Sequence, residues 1–366
     1  MKTYPLRSIS IEQAKQKQFA LVDEICREFE GTEFLSLGDL GVVQPANKPS
    51  YAAKVERVLA RYFHAEKAIL VTGAGTGAIR FGLSAMIRPN DTVLVHKAPV
   101  YPTTLTTLQG LNAQLVEADF NDLEEIKQVM AEHEIHAAIV QVTRQKPDDR
   151  YELQEVIETI KACKPIPILT DDNYAAMKVE KIGVEAGADV SAFSAFKLLG
   201  PEGVGILVGK VEIIDAVEKN NYSGGSKVQG WQAMELLRML VYAPVMLAIQ
   251  AEENDHLVEK INQGIIPEVK EAFLANAQSK VLLVEFREEI AEAVLVEAQK
   301  LGAAPNPVGA ESKYEVVPMF YRVSGTFLKN DPTLKKRMIR INPMRSGSET
   351  ILRILKESIR KVKECS

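Results

Sequence analysis

Between Ala68 and Lys210, short apolar runs alternate with stretches of helical periodicity, the order produced by parallel strands joined by crossover helices. The runs are AILVT (68–72), TVLVH (92–96), QLVEA (114–118), HAAIVQV (136–142), IPILTD (166–171), DVSAFSA (189–195) and GILVG (205–209). Seven such strands predict a three-layer, doubly wound α/β domain whose mostly parallel sheet is covered by helices on both faces. Helices are read from Gly77 to Met86, from Pro102 to Leu111, and from Leu123 to Glu134 behind the capping residues Asn121 and Asp122.

The pattern changes on either side of this region. Val228 to Ile261 reads as one long helical stretch, interrupted at Pro244, where the missing N–H and the ring clash predict a kink or break. Beyond Pro267, the strand candidates KVLLVEF (280–286), VVPMFYRV (316–323) and MIRINP (338–343) mix with helices near 287–300 and 349–363, which predicts a smaller α+β domain. Ahead of the sheet lie an amphipathic helix and the irregular run FLSLGDLGVVQPANKP, expected to form an arm over the larger domain. The expected division is 1–46 as arm and helix, 47–235 as the large domain, and 236–366 as a linking helix with the small C-terminal domain. No internal repeat or low-complexity tract interrupts it.

Composition narrows the partners. A length of 366 residues exceeds the roughly 250–300 at which single cores stop growing, in keeping with two domains. Apolar residues make up 46% and charged residues 25%, and a formal net charge of −5 gives no general attraction to nucleic acid. Cys26, Cys163 and Cys365 are odd in number and far apart, so they suggest neither a disulfide framework nor a metal site. The start, MKTYPLRSISIEQAKQKQ, lacks an apolar h-region, and no run approaches the roughly 18 apolar residues of a membrane span. A cytoplasmic protein without membrane contact is expected.

Candidate chemistry begins at TGAGTGAIR, which follows a strand and opens a helix. Amides at a helix start attract an anion, and glycines at 73, 75 and 77 allow close approach of a phosphate, with Thr76 adding a hydroxyl. The turn is no P-loop, since no Gly-Lys-Ser/Thr follows. A dinucleotide fingerprint fits poorly, because His96, Lys97 and Ala98 stand where its ribose-binding acid belongs. Alone, such a turn often serves only packing.

A partner for the turn is Lys197, at the end of the apolar strand in DVSAFSAFKLLGPEGVG. An apolar setting lowers an amine pKa and yields a neutral nucleophile for a carbonyl. One strand earlier, PILTDDNY sets Asp171 and Asp172 at a strand's carboxyl end, where open α/β sheets bind ligands. Asp172 is expected to cap the following helix. Asp171 is the functional candidate, because a buried carboxylate beside an aromatic nitrogen holds that nitrogen protonated and makes the ring an electron sink. In APVYPTT, Tyr101 is placed either to pack in the core or to lie on a planar ring.

Together these segments resemble the fold type I pyridoxal-phosphate enzymes, the aspartate aminotransferase superfamily, over about residues 50–235 with a weaker echo near 340. The resemblance implies pyridoxal 5'-phosphate as cofactor, in a Schiff base with Lys197. GTGAIR resembles the phosphate cradle, which implies contacts from the backbone of Ala74 and Gly75 and from Thr76; a serine is common in that family where Ala74 stands. APVYP matches the stacking aromatic, Tyr101. TDDNY resembles the Asp-x-x-Tyr element, with Asp171 on the ring nitrogen and Tyr174 near the phenolic oxygen. SAFSAFKLLG resembles the lysine loop, with Ser194 placed to reach the phosphate.

Two departures stand out. QVTRQKP replaces the usual Asn-Pro-x-Gly turn, leaving Gln141 or Arg144 for the phenolic oxygen. The usual phosphate-binding arginine after the lysine is absent, and Lys227 in NYSGGSKVQG is the substitute considered, supplied by a second subunit as in related lyases. MIRINPMRSG resembles the strand carrying the substrate-carboxylate arginine, here Arg340 with Arg345 as runner-up. The activity implied is α-proton removal from an amino acid by Lys197 in a homodimer with a shared active site. An aminotransferase-type transferase is the first reading, and a β- or γ-eliminating carbon–sulfur lyase the second. A desulfurase is disfavoured by the positions of the cysteines. A phosphate-binding regulator without catalysis is the alternative of another class.

Overall fold

The computed structural model describes residues 2–277, 279–309, 311–323 and 325–364. Cys365 lies outside them. The chain forms two compact units, one of Glu12–Thr143 with Arg150–Pro244, the other of Met1–Ile11, Arg144–Asp149 and Val245–Ser366.

The larger unit is built on a seven-stranded sheet: β1 (Lys67–Thr72), β2 (Thr92–His96), β3 (Gln114–Ala118), β4 (Ala137–Gln141), β5 (Ile168–Asp171), β6 (Val190–Ser194) and β7 (Val204–Gly209). These match the seven apolar runs. The spatial order is β1-β7-β6-β5-β4-β2-β3. β7 runs antiparallel to β1 and β6, and the remaining neighbours are parallel. All residues of β5, β6 and β7 are buried, which is why these strands read as continuous apolar runs rather than alternating ones. Helices Ala74–Met86, Pro102–Gly110, Leu123–Glu132 and Leu153–Cys163 make crossovers between strands. Asp122 caps its helix as expected, accepting from the backbone N–H of Glu124 and Glu125.

Two apolar clusters pack on the sheet. One joins Ile79 and Leu83 of the first crossover helix to Val93, Leu169 and Leu207. The other joins Phe120, Ile126 and Ile160 to Leu94, Val140 and Ile168.

The second unit carries an antiparallel sheet of β8 (Val269–Ala277), β9 (Ser279–Phe286), β10 (Met319–Arg322) and β11 (Met338–Asn342), in the order β10-β11-β9-β8. Helices Ala291–Lys300 and Ser348–Glu364 cover one face through Val294, Leu295, Ile351 and Leu355 against Val284, Ile339 and Ile341.

Three elements depart from expectation. β8 is absent from the expected strands, because VKEAFLANA is rich in helix formers; its strand form is imposed by pairing with β9 over nearly its whole length. Residues 1–11 belong with the C-terminal unit rather than with the arm, Thr3 Oγ1 donating to Leu274 O at 2.6 Å and Leu6 N to Asn276 Oδ1 at 2.9 Å. Helix Gly230–Lys260 runs through Pro244 without ending. Its buried Leu236, Leu237, Leu240 and Leu247 hold it on both sides of the proline, and such packing outweighs the roughly 3 kcal/mol that an interior proline costs. Gly230–Ile265 is long and apolar enough to match a membrane span in length and composition, but these leucines are packed in the protein.

Candidate active site

β1, β5 and β6 point the same way and end at one edge of the sheet. That edge gathers the glycine turn, the paired aspartates and Lys197. The turn starts with Gly73 at φ 95°, in the left-handed region that glycine enters without strain. Helix Ala74–Met86 follows immediately, its first amides directed at the sheet edge.

Lys197 sits in a short 3₁₀ turn, Phe196–Leu198, directly after β6. Its side chain is half-buried, with Nζ 4.0 Å from the centroid of the Tyr174 ring. Tyr174 is held at φ 65°, a left-handed conformation that costs a non-glycine residue energy and aims the ring back at the lysine. Lys197 and Tyr174, assigned from separate motifs, are therefore brought together.

Asp171 ends β5 and is buried. Burial pushes its carboxyl above the ordinary carboxylate range, while the charge of Lys197 and the donors of Asn173 pull it down. Oδ1 accepts from Asn173 N at 3.0 Å and from Asn173 Nδ2 at 2.7 Å. Among the described residues none donates to Oδ2, which is left for a donor on a ligand.

Asp172 is not the cap of a helix. Turns rather than a helix follow it, and its fully buried side chain accepts from Gly183 N at 2.9 Å and Thr170 Oγ1 at 2.6 Å, tying the 183 loop to β5. Burial raises its carboxyl from 3.8 to about 6. With the folded value above the unfolded one, this contribution to stability is complete below roughly pH 4. It is lost as pH rises through about 6, a difference of about 3 kcal/mol. Asp172→Asn is expected to flatten that part of the stability–pH curve, measured by chemical denaturation, and to leave catalysis intact.

At the glycine turn, one expected contact changes. The N–H groups of Gly73 and Ala74 both donate to Gly203 O, at 2.8 and 3.0 Å, because the loop after Lys197 folds back over the turn. The Ala74 amide is thus engaged, and Gly75 and Thr76 supply the open first-turn amides. Thr76 Oγ1 lies 3.3 Å from Thr103 Oγ1, which links the turn to the helix that Tyr101 precedes. Tyr101 itself is half-buried. Ser194 is buried at the end of β6, its N–H donating to Asn173 Oδ1 at 3.1 Å.

Gln141 ends β4 beside Asp171, and its carbonyl accepts from Tyr151 Oη at 2.5 Å. Lys227 pairs through its backbone with Val71, close to the turn, yet its buried side chain lines a cavity of about 630 Å³ with Lys48, Glu56 and Glu218. Burial and the charge of Lys48 lower its pKa.

Three predicted residues belong to the second unit. Arg144 Nη1 donates to Tyr4 O at 3.3 Å. Arg340 stands opposite Tyr321 across the β10–β11 ladder, its guanidinium 4.1 Å from the ring centroid and Nε donating to Arg322 O at 2.7 Å. Arg345 donates from Nη1 to Gln250 Oε1 at 2.8 Å, and its buried Nη2 has no hydrogen-bond partner among the described residues. Burial lowers the Arg345 pKa against the pull of Glu311 and Glu315.

With this geometry in place, comparison with known proteins is decisive. The family model described as aminotransferase class-V matches residues 48–263, more than half of the chain. The chain belongs to the aminotransferase class-V family. A second model, the YhfS-like C-terminal domain, matches residues 255–355. The uncharacterized protein YhfS of Escherichia coli (strain K12) is 57% identical over 359 residues, 98% of this chain and 99% of that one. Its crystal structure, described as that of a pyridoxal-5'-phosphate dependent protein, superposes with a TM-score of 0.97 over 99% of this chain and 100% of that one. Cystathionine gamma lyase CalE6 of Micromonospora echinospora, 16% identical, gives a TM-score of 0.73 over 94% of this chain and 99% of that one, a likeness of fold.

The class-V match covers the whole lysine-bearing edge, so the fold type I resemblance holds. Asn173 is a residue of this edge that the sequence does not single out. It stands inside TDDNY, but an asparagine in a turn carries no separate signal, and its partners come from distant segments.

Proposed function

We propose that this class-V protein is a pyridoxal-phosphate-dependent enzyme acting on an amino acid, with Lys197 as the catalytic amine. The observation that carries the reading is the arrangement at one sheet edge: Lys197 beside Tyr174 and electrostatically coupled to buried Asp171, with helix-start amides nearby. When bound, pyridoxal phosphate supplies an aldehyde for amines and a ring that accepts the electron pair left at a substrate's α-carbon. The residues present suit each end of it. Gly75 and Thr76 N–H groups would meet the phosphate, assisted by Thr76 Oγ1 and Ser194. Asp171 Oδ2 would accept from the ring N–H, and Tyr101 would cover the ring face. Tyr174 orients Lys197 and would serve the phenolic oxygen, with Gln141, next to Asp171 in the sheet, as the second candidate.

Lys197 would hold the cofactor's aldehyde carbon between turnovers and, once displaced by the substrate amine, would take the α-proton. The first reading of the outcome is aminotransferase-type, in which Lys197 returns that proton farther along the conjugated system. The second is elimination of a β or γ substituent. A desulfurase's cysteine nucleophile has no counterpart among the described residues of the lysine edge. Exposed Cys163 ends helix Leu153–Cys163 on the approach to the opposite end of β5, and exposed Cys26 lies in helix Ile11–Glu28. A screen of amino acids with keto acid, ammonia and sulfide assayed together separates the outcomes. Keto acid with ammonia indicates elimination, and keto acid without ammonia, its amino group passed to an added 2-oxo acid acceptor, indicates transamination. No spectral response to any amino acid, in a protein that holds the cofactor, counts against the enzyme reading. Carboxylate recognition is proposed for Arg340, with Arg345 second.

A homodimer sharing its active sites completes the proposal. Leu37 and Leu40 are 80% and 74% exposed, and Trp231 and Tyr222 add further exposed apolar area. The two stretches are one surface, since Gly230 N donates to Asp39 O and Asn47 Nδ2 to Tyr222 O. Lys227 lies in the same loop, buried in its own subunit without an ion pair among the described residues, and reaching the phosphate of the other subunit would require it to turn out of that cavity on assembly. Lys227→Ala is expected to weaken cofactor affinity about tenfold or more, the scale of one charge-assisted contact. Mixed dimers of Lys197→Ala and Lys227→Ala subunits are expected to regain activity, because one site then receives both lysines. A lysine acting within its own subunit predicts no recovery.

A further inference from the structure

We propose that Asn173 is a positioning residue whose side-chain amide clamps the carboxylate of Asp171 to the end of β6 and to the glycine turn, fixing both ends of the ligand site against each other. The proposal rests on the cofactor reading above.

The geometry is specific to this side chain. Asn173 is buried, and its two amide atoms are used in opposite directions. Nδ2 donates to Asp171 Oδ1 at 2.7 Å, and Oδ1 accepts from Ser194 N at 3.1 Å. Its backbone N donates to the same Asp171 oxygen at 3.0 Å, and its carbonyl accepts from Thr143 Oγ1 at 3.1 Å. The side chain also fills the space over Gly75: a Cβ on that glycine would lie 2.4 Å from Asn173 Oδ1. One residue thus touches the ends of β5 and β6, the segment after β4 and the first turn of helix Ala74–Met86.

Two consequences follow. Both donors on Oδ1 orient the Asp171 carboxylate and leave Oδ2 for a ring N–H. The same donors favour the ionised carboxylate, so Asn173 offsets the burial that works against it. Lys197 and Asp172 are the charged groups coupled to Asp171. Neither is altered by a change at 173, so a shift in Asp171 reports the clamp. Removal of the amide loosens the phosphate end as well, because the Ser194 N–H loses its acceptor.

The test is carboxyl titration of Asp171 in the cofactor-free full-length protein, with ¹³C-labelled aspartate and Asp171→Asn to assign the signal. Asn173→Ala is expected to move the Asp171 midpoint up by about one to two pH units, the effect of one hydrogen bond to a charged group. Asn173→Asp keeps the shape but adds a like charge, and is expected to move it farther. Gly75→Ala displaces the amide without deleting it and is expected to shift the midpoint in the same direction. In the loaded protein, the acid limb of the rate–pH profile is expected to move with the midpoint. An Asp171 midpoint unchanged in folded Asn173→Ala overturns the proposal; if that variant does not fold, an unchanged midpoint in Gly75→Ala, which adds no charge, does so. Midpoints that shift as expected in a protein that takes up no pyridoxal phosphate leave the clamp standing and sink the cofactor reading instead.

Discussion

Lys197→Ala is expected to abolish covalent trapping of pyridoxal phosphate and to reduce turnover by at least about 10² to 10⁴-fold, the usual worth of a positioned general base. The loss is larger than for other residues because the same amine acts twice. In the proposed mechanism it would hold the aldehyde carbon between turnovers and carry the proton at the α-carbon. Borohydride reduction followed by mass spectrometry reads the bond to the aldehyde carbon, since the parent protein gains one reduced cofactor on the peptide containing Lys197 and the variant gains none. Single-turnover kinetics with a responding amino acid read the proton transfer. Stability is expected to change little, since the side chain is half-buried and its ammonium lies over the Tyr174 ring, a contact worth about 1 kcal/mol. Trapping on another lysine, or undiminished turnover, removes Lys197 from the mechanism.

The sheet that carries this lysine is legible in the sequence because its strands are buried on both faces. Ile168–Asp171 and Val190–Ser194 have no exposed position, so apolar runs bounded by turn residues mark them directly. β8 is not legible, since Val269–Ala277 mixes Lys, Glu and Ala with apolar residues and becomes a strand only by pairing with β9. Pro244 misleads for a related reason. Local propensity predicts a break, and tertiary packing of the leucines around it keeps the helix.

The site shows the same division. The positions of Lys197 and Asp171, each at or just past a strand end, are readable. What needs the fold is each contact between segments remote in sequence. Gly203 O takes the Ala74 amide, Asn173 joins Asp171 to Ser194, and Tyr321 receives Arg340 through strand register. Asp172 is instructive because its neighbour has the same side chain. Both carboxylates are buried, but Oδ1 and Oδ2 of Asp172 are each bonded within the protein, whereas Asp171 keeps one oxygen without a partner among the described residues.

That difference sets the second large effect. Asp171→Asn is expected to lower turnover by about 10² to 10³-fold, the scale of removing one preorganised electrostatic partner of the reacting group. The asparagine keeps its Oδ1 on the two Asn173 donors. It therefore presents an Nδ2 donor where the carboxylate presented an acceptor, and the ring nitrogen can no longer be held protonated. Stability moves the other way. Burial raises the folded-state pKa of Asp171, so at pH 7 its ionised form opposes folding, and the neutral isostere removes that cost. The cofactor-free variant is expected to unfold at the same temperature as the parent or higher at pH 7, while the acid limb of the rate–pH profile disappears. Asp172→Asn shares the gain in stability without the loss of rate. A buried carboxylate retained at a cost to folding, beside one whose neutralisation leaves the chemistry alone, is what a ring-protonating residue next to a structural one requires. Equal rates for Asp171→Asn and the parent would assign both aspartates to structure.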